Sequence, residues 1–218
     1  MTKVVRSFAL ALLLVAAGCS DPATPADAAD RPPGSPAEGG LPTGGPAPGI
    51  EAPAERPETI EETVVVEGAD ETVTLRLVTF AEAPLPFSTY VYEDWASDVV
   101  SSGEGTAVRL TTGTPPYEGT LSLFVPPGSP SLEGGATIAR AVAESYGDVQ
   151  EMASLRPWVR SGFSFRDGAT IGTVQVGEHG GTAFYVLEAF HEEMGDGFGP
   201  ASAVALDRLR WLDDGTGL

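Results

Sequence analysis

The sequence is poor in the residues on which several kinds of catalytic and cofactor site depend. Its 218 residues include one cysteine, Cys19, one lysine, Lys3, and two histidines. A disulfide within the chain is therefore excluded, as are zinc and iron–sulfur sites with several cysteine ligands. Lys3 is too near the N-terminus to belong to a phosphate-binding loop of the GxxxxGK kind. The sequence also contains no GxSxG nucleophile elbow, no HExxH zinc helix and no calcium loop.

The first 20 residues have the organisation of an export signal. Two basic residues precede an uncharged apolar run from Phe8 to Ala17, which is too short to span a bilayer as a helix. The run leads into Ala16-Ala17-Gly18-Cys19, which resembles the lipobox of bacterial lipoproteins. This resemblance implies a signal peptide at residues 1–18 and attachment of lipid to Cys19. The alternative is an ordinary cleaved signal followed by an incidental cysteine.

Residues 19–57 are predicted to be a lipidated cysteine followed by a disordered linker. Proline, alanine and glycine fill 24 of the 37 positions from 21 to 57, where Leu41 and Ile50 are the only large apolar residues. Such a segment cannot bury enough apolar surface to fold. As a flexible coil it would span about 35 Å, which suits a tether between a membrane and a domain. A pro-peptide or an interaction tail is the alternative.

The chain is strongly acidic, with a formal net charge of −19. Cleavage of the signal would remove Lys3 and Arg6 and take the charge from −19 to −21, because no acidic residue precedes Cys19. A protein of this charge repels nucleic acid and anionic lipid head groups, so we expect no nucleic-acid partner. Contact with the membrane would depend on the lipid anchor, on the periplasmic face or at the cell surface of the bacterial envelope.

Residues 58–218 are predicted to form a single α+β domain. The stretch ETIEETVVVEGADETVTLRLVTF alternates polar and apolar residues across a turn at Gly68-Ala69-Asp70, which is typical of a hairpin. Two helices are predicted, GATIARAVAESYG, which Gly147 ends, and PASAVALDRLRWL, which Pro200 begins. Further strands are predicted at 88–92, 106–112, 120–125, 159–165, 170–176 and 182–189. Many strands with few helices favour an antiparallel sheet flanked by helices.

The order of several motifs resembles the PsbP-like superfamily. The motifs are FSTYVYEDW, YEGTLSLFVPPG, RDGATIGTVQVGEHGGTAFYVLEAF and GDGFGPASAVALDRLRWL. Trp95 stands where the family has an early tryptophan turn, and Asp196-Gly197-Phe198-Gly199-Pro200 stands where it has a loop before the last helix. The resemblance covers residues 60–214. It implies an antiparallel sheet flanked by helices and a role in binding or assembling other proteins, with no shared catalytic residues.

The two histidines are the first candidates for chemistry. His179 lies in a Gly-Glu-His-Gly-Gly sequence, which indicates a tight hairpin turn and a solvated side chain. His191 follows a predicted strand and precedes Glu192, Glu193 and Asp196. Imidazole and carboxylates suit divalent cations, so these four residues are a candidate metal site. The alternative is a strand that ends in an acidic loop.

Aromatic residues and arginines are candidates for binding. Three tryptophans are candidates for lining a ligand groove, although core burial is the commoner role; they are Trp95, Trp158 and Trp211. Tyr90 and Tyr92 alternate with Val91 and fit one face of a sheet. Phe163 and Phe165 also share one strand face, and burial in the core is expected for them. Near the end of the chain, Arg208 and Arg210 suit either an anionic partner or ordinary surface ion pairs.

Three hypotheses follow for the function. The first is a lipid-anchored cell-envelope protein, without catalytic activity or cofactor, whose domain binds or helps to assemble another envelope component. The second is a metal-dependent hydrolase that uses His191 with the nearby acids. The third is a carrier of a small apolar ligand, which requires a concave apolar pocket beneath the helices.

Overall fold

The computed structural model describes residues 55–66, 69–128, 130–153 and 156–218. Within them lie β1 (Thr59–Val66), β2 (Ala69–Phe80), β3 (Phe87–Tyr92), β4 (Ala96–Ser102), β5 (Gly105–Thr114), β6 (Tyr117–Val125), α1 (Leu132–Tyr146), β7 (Asp148–Glu151), β8 (Ser161–Asp167), β9 (Thr170–His179), β10 (Thr182–His191), a 3₁₀ turn (Glu192–Met194), α2 (Gly195–Asp207) and β11 (Arg210–Trp211). None of the described helices is long and apolar enough to cross a membrane.

The strands form two antiparallel sheets. The smaller has the order β1-β2-β3-β11, and the larger has the order β4-β5-β6-β10-β9-β8-β7. Because successive side chains point to opposite faces of a strand, β10 contributes side chains to two hydrophobic cores. Phe184 and Val186 belong to the larger core, between the two sheets and α2. Tyr185 belongs to the smaller core, beneath α1. The predicted α+β class, with antiparallel strands and two helices, is therefore confirmed, but the strands form two sheets where one was predicted.

Small residues allow α1 to lie close to the larger sheet. Ser131 caps the helix by accepting a hydrogen bond from the backbone of Gly134 (3.3 Å). Gly135, Ala139 and Ala143 are buried against the sheet, and a Cβ at Gly135 would lie 3.0 Å from that of Ala183. Gly147 ends the helix, as predicted, with a φ of +147°. The helix begins three residues before the predicted start.

The second helix differs from its prediction at both ends. Pro200 does not begin α2, because the helix already starts at Gly195. Burial of Phe198 against Trp95 outweighs the poor helix propensity of the glycines in this segment. At the other end α2 stops at Asp207, and Trp211 pairs with Phe87 as part of β11. Sequence alone predicted a helix through Leu212 and is wrong there.

The strand predictions are confirmed except for two omissions. The β1–β2 hairpin and the six further predicted strands are present, with changed ends. The pattern missed β4, whose seven residues are all exposed and so show no polar–apolar alternation. It also missed the four-residue β7.

Residues 55–57, the last of the predicted linker, belong to the described structure and contact the domain. The guanidinium of Arg56 lies 4.5 Å from the ring centre of Tyr90 and donates a hydrogen bond to the Ser88 hydroxyl (2.8 Å). The hydroxyl of Tyr90 donates to the carbonyl oxygen of Pro57 (2.8 Å). The chain therefore meets β3 before it enters β1.

Candidate functional site

The predicted lipidation site, Cys19, and the predicted signal peptide lie outside the described residues.

Glu192 and Glu193, which follow His191 directly in sequence, lie beside different residues. Glu192 forms an ion pair with Arg166 (2.7 Å), and this hydrogen bond and charge lower the pKa of Glu192. The carboxylate of Glu193 lies near the hydroxyl of Tyr117 and raises the pKa of that phenol. The Nδ1 of His191 accepts from the backbone N–H of Glu193 (3.3 Å). Among the described residues, these side chains do not form a cluster that could converge on a metal ion.

His179 is not the solvated turn residue that its glycine neighbours indicated. Its side chain is 11% exposed, and its ring stacks on that of Trp211 with 4.3 Å between centres. Its Nε2 lies 2.9 and 3.0 Å from the two carboxylate oxygens of Asp213. The prediction is wrong because β11 and the chain end, 34 residues later, cover this end of β9.

His179, Asp213 and Asp214 bring one ligand atom each within 4.8 Å of one another. Each has a protein partner that accounts for its position. Asp214 accepts hydrogen bonds from the backbone N–H (2.8 Å) and the hydroxyl (2.7 Å) of Thr216, and these lower its pKa. We therefore interpret the group as a structural clasp of the chain end.

The three tryptophans do not line one groove. Trp158 and Trp211 both contact Phe184 and extend the larger core. Trp95 follows β3, whereas Trp211 pairs with Phe87 at the beginning of that strand. Trp95 and Trp211 therefore lie at opposite ends of β3, about 20 Å of extended chain apart.

A groove next to Trp95 collects acidic residues from several elements. Its volume is about 500 Å³, and its lining comprises Glu71, Tyr92, Asp94, Trp95, Thr112, Glu193, Met194, Asp196, Gly197, Phe198 and Ala201. We call this the acidic groove. Four of its lining residues are carboxylates and none is an arginine. It brings Trp95 together with Glu193 and Asp196, which the sequence had placed with His191 in a candidate metal site. Glu71 and Asp94 had not been recognised.

The apolar base of the acidic groove is tightly packed. The rings of Trp95 and Phe198 stack in parallel with 5.7 Å between centres, and both residues are buried. Gly119 on β6 makes room for Phe198, since a Cβ there would lie 2.2 Å from its ring. The Trp95 carbonyl oxygen accepts a hydrogen bond from Arg76, which is not part of the lining.

The negative charge of the acidic groove affects the pKa of Tyr92. Burial raises the pKa of this phenol, and the charges of Glu62, Glu71 and Asp94 raise it further. The carboxylate of Asp94 accepts a hydrogen bond from the hydroxyl of Thr112 (3.2 Å), which fixes its position. The groove is thus preorganised to receive positive charge.

A polar cluster attaches α2 to the larger sheet. The carboxylate of Glu188 accepts hydrogen bonds from Ser202 on α2 (2.6 Å) and from Gln175 (2.9 Å) and Thr173 (3.0 Å) on β9. Gln175 and Ser202 are buried. Because these groups satisfy one another, the cluster has a structural explanation: it positions the helix that carries Asp196 and Phe198.

The remaining candidates have structural roles. Phe163 and Phe165 are buried beneath α1, as expected. Arg208 forms an ion pair with Glu62 (2.9 Å), and Arg210 donates to the carbonyl oxygens of Asp207 (3.2 Å) and Leu209 (2.7 Å).

The apolar space beneath α2 is nearly filled. A gap of about 10 Å³ remains among residues of β3, β5, β6, β10 and α2, including Phe87, Leu121 and Leu206. That is close to the least volume that holds one water molecule. This part of the described structure counts against an apolar ligand site.

No protein-family model matches the chain, and no curated protein matches it.

Proposed function

We propose that this is a lipid-anchored protein of the bacterial envelope whose domain binds a cationic segment of another envelope component without catalysis. The acidic groove is the observation that carries the proposal. It combines four carboxylates, an aromatic base and a volume of about 500 Å³ on one face of the domain.

The chemistry of the acidic groove favours lysine or arginine side chains as its occupants. Hydrogen bonds between ionised partners are shorter and stronger than neutral ones, and aromatic rings also attract cations. Asp94 accepts a hydrogen bond from a neutral hydroxyl group and Glu193 lies near another. Neither carboxylate takes part in the ion pairs of the described residues. Two other surface grooves, of about 430 and 300 Å³, each include an arginine and lack this character.

The membrane part of the proposal depends on Cys19. Lipid chains on this sulfur would hold an acidic domain beside a bilayer that its own charge repels. The segment from residue 19 to 57 would then set how far the domain reaches, and a tethered domain meets its partner at raised local concentration. We include membership of the PsbP-like superfamily in the proposal, since the motif order and the antiparallel architecture are both compatible with it.

The anchor is tested by Cys19→Ser. We expect the parent to incorporate labelled palmitate and to enter the detergent phase on temperature-induced phase separation. The variant should incorporate none and remain in the aqueous phase. Ser20→Ala, one residue along, is the matched control and should behave like the parent. An unlabelled parent, or a variant that is equally membrane-bound, contradicts the anchor.

The acidic groove is tested by Asp94→Asn with Glu193→Gln. These changes remove two charges but leave amide oxygens that can still accept the hydrogen bonds. We expect binding of a lysine peptide to the full chain to weaken about tenfold or more. Glu133→Gln with Asp148→Asn removes the same charge from exposed positions elsewhere and should change binding less than about twofold. Equal losses in the two double variants would show that only net charge matters and would overturn the assignment of the groove.

A further inference from the structure

The strand β4 ends the larger sheet and presents an open edge. In the described part of the chain, no strand pairs with its outer side. All seven of its residues are exposed, and the side chains of Val99 and Val100 are among the most exposed large apolar groups of the domain, at 50% and 41%. Its free backbone N–H and C=O groups form a template for another strand.

This edge lacks the usual protection against pairing. Its register with β5 is continuous from Ala96 to Ser102, without a bulge. The strand contains no proline and no lysine, and its only charged residue, Asp98, is paired with Arg109 (2.6 Å). By contrast, β7 has only four residues, and β1 carries Glu61 and Glu62 on an edge that α2 contacts. Natural sheets blunt such edges, so an open one indicates an interaction surface.

Two grooves border β4. One has a volume of about 450 Å³ and lies between the strand and the end of β2; it is lined by Thr79, Phe80, Ala81, Glu82, Ala83, Val99 and Ser101. The other is the acidic groove, since Trp95 immediately precedes β4 and Thr112 follows the β5 partner of Ala96. Both linings contain carboxylates, and neither contains an arginine.

We propose that β4 binds an extended segment of the partner as an additional strand, with small apolar residues alternating with lysine or arginine. Main-chain hydrogen bonds along β4 would supply affinity, and alternate side chains would enter the groove beside Val99. The basic residues match the carboxylates of both grooves. A second copy of this chain is a poor occupant, because residues 58–218 contain 25 acidic residues and eight arginines. Two such domains carry net negative charge and repel each other. The inference rests on the proposed function and specifies its mode of recognition.

The test uses the full chain and two short peptides, one of alternating valine and lysine and one of alternating valine and glutamate. We expect the lysine peptide to slow backbone hydrogen exchange in β4 by about tenfold or more at saturation, and the glutamate peptide to leave it unchanged. Protection in β1 instead of β4 overturns the inference. So does protection of β4 in the free chain, which would mean that the chain itself or a second copy already covers the edge.

Val99→Lys places a positive charge on the edge, and Val65→Lys makes the same change at an exposed position on β1. We expect Val99→Lys to weaken binding of the lysine peptide about tenfold, and Val65→Lys to leave it unchanged. Equal effects of the two variants overturn the inference. If Val99→Lys does not fold, Ser97→Lys on the same strand face replaces it.

The failure of this inference can be separated from that of the proposed function. A lysine peptide whose binding depends on Asp94 and Glu193 but leaves exchange in β4 unchanged overturns strand addition alone. Absence of peptide binding also overturns strand addition, while capture of a native partner that depends on Asp94 and Glu193 would still uphold the proposed function.

Discussion

His179 and His191 lie at opposite ends of the β9–β10 hairpin, and their surroundings differ. His191 has acidic neighbours in sequence, yet Glu192 forms an ion pair with Arg166 and Glu193 lies near Tyr117. His179 has glycines around it in sequence, yet its ring is stacked and its Nε2 meets a carboxylate.

The difference follows from local geometry. Glu192 and Glu193 lie in a 3₁₀ turn, where successive side chains point about 120° apart, so neighbours in sequence cannot converge. His179 ends a strand at a position that β11 and the chain end cover, so its partner, Asp213, comes from 34 residues away. Proximity in sequence is thus a poor guide to a site where a strand passes into a helical turn.

The largest expected effect in this comparison is that of His179→Ala. The change removes a stacked ring from Trp211 and a hydrogen bond to Asp213. We expect the free energy of unfolding in urea to fall by about 2 kcal/mol. His179→Phe keeps the ring and loses the hydrogen bond, so it should recover part of the loss. A stability equal to that of the parent in the alanine variant would show that the clasp contributes nothing.

A smaller effect is expected from His191→Ala. Its ring lies edge-on to Tyr117, which is half exposed, and its Nδ1 caps only the short 3₁₀ turn. We expect a loss of about 0.5–1 kcal/mol in the same urea titration. A loss larger than that of His179→Ala would reverse the comparison and restore His191 as the more constrained histidine.

The sequence predicted local features better than assembled ones. The β1–β2 hairpin, the end of α1 at Gly147 and the burial of Phe163 and Phe165 each depend on a short pattern, and each is present. The strand β4 was missed because an edge with both faces exposed has no alternating pattern.

The acidic groove could not be predicted for a different reason. Glu71, Asp94, Glu193 and Asp196 come from β2, the β3–β4 connection, the 3₁₀ turn and α2. Their convergence depends on how the two sheets and α2 pack around Trp95 and Phe198. In a chain with 31 acidic residues, no local signal links Glu71 and Asp94 to Glu193 and Asp196.

The smallest expected effect concerns pH and Glu192, beside His191. The hydrogen bond and charge of Arg166 lower the pKa of Glu192 below its ordinary value of 4.5. A carboxylate whose pKa is lower in the folded state stabilises the fold above its unfolded-state pKa, and this contribution is lost as pH falls through the folded-state value. Both side chains are about half exposed, so the contribution is small and is screened by salt.

The melting temperature of Glu192→Gln should therefore lie slightly below that of the parent at pH 7, and this difference should close as the pH falls below the ordinary pKa of 4.5. Arg166→Ala should lower the melting temperature with the same pH dependence. The double variant should show no additional pH-dependent decrease, because either change alone removes the ion pair. A difference that persists unchanged at low pH would assign the effect to lost contacts of the side chain and not to its charge. In that case the contribution of Glu192 to stability would come from the contacts of its side chain, like that of the stacked ring of His179.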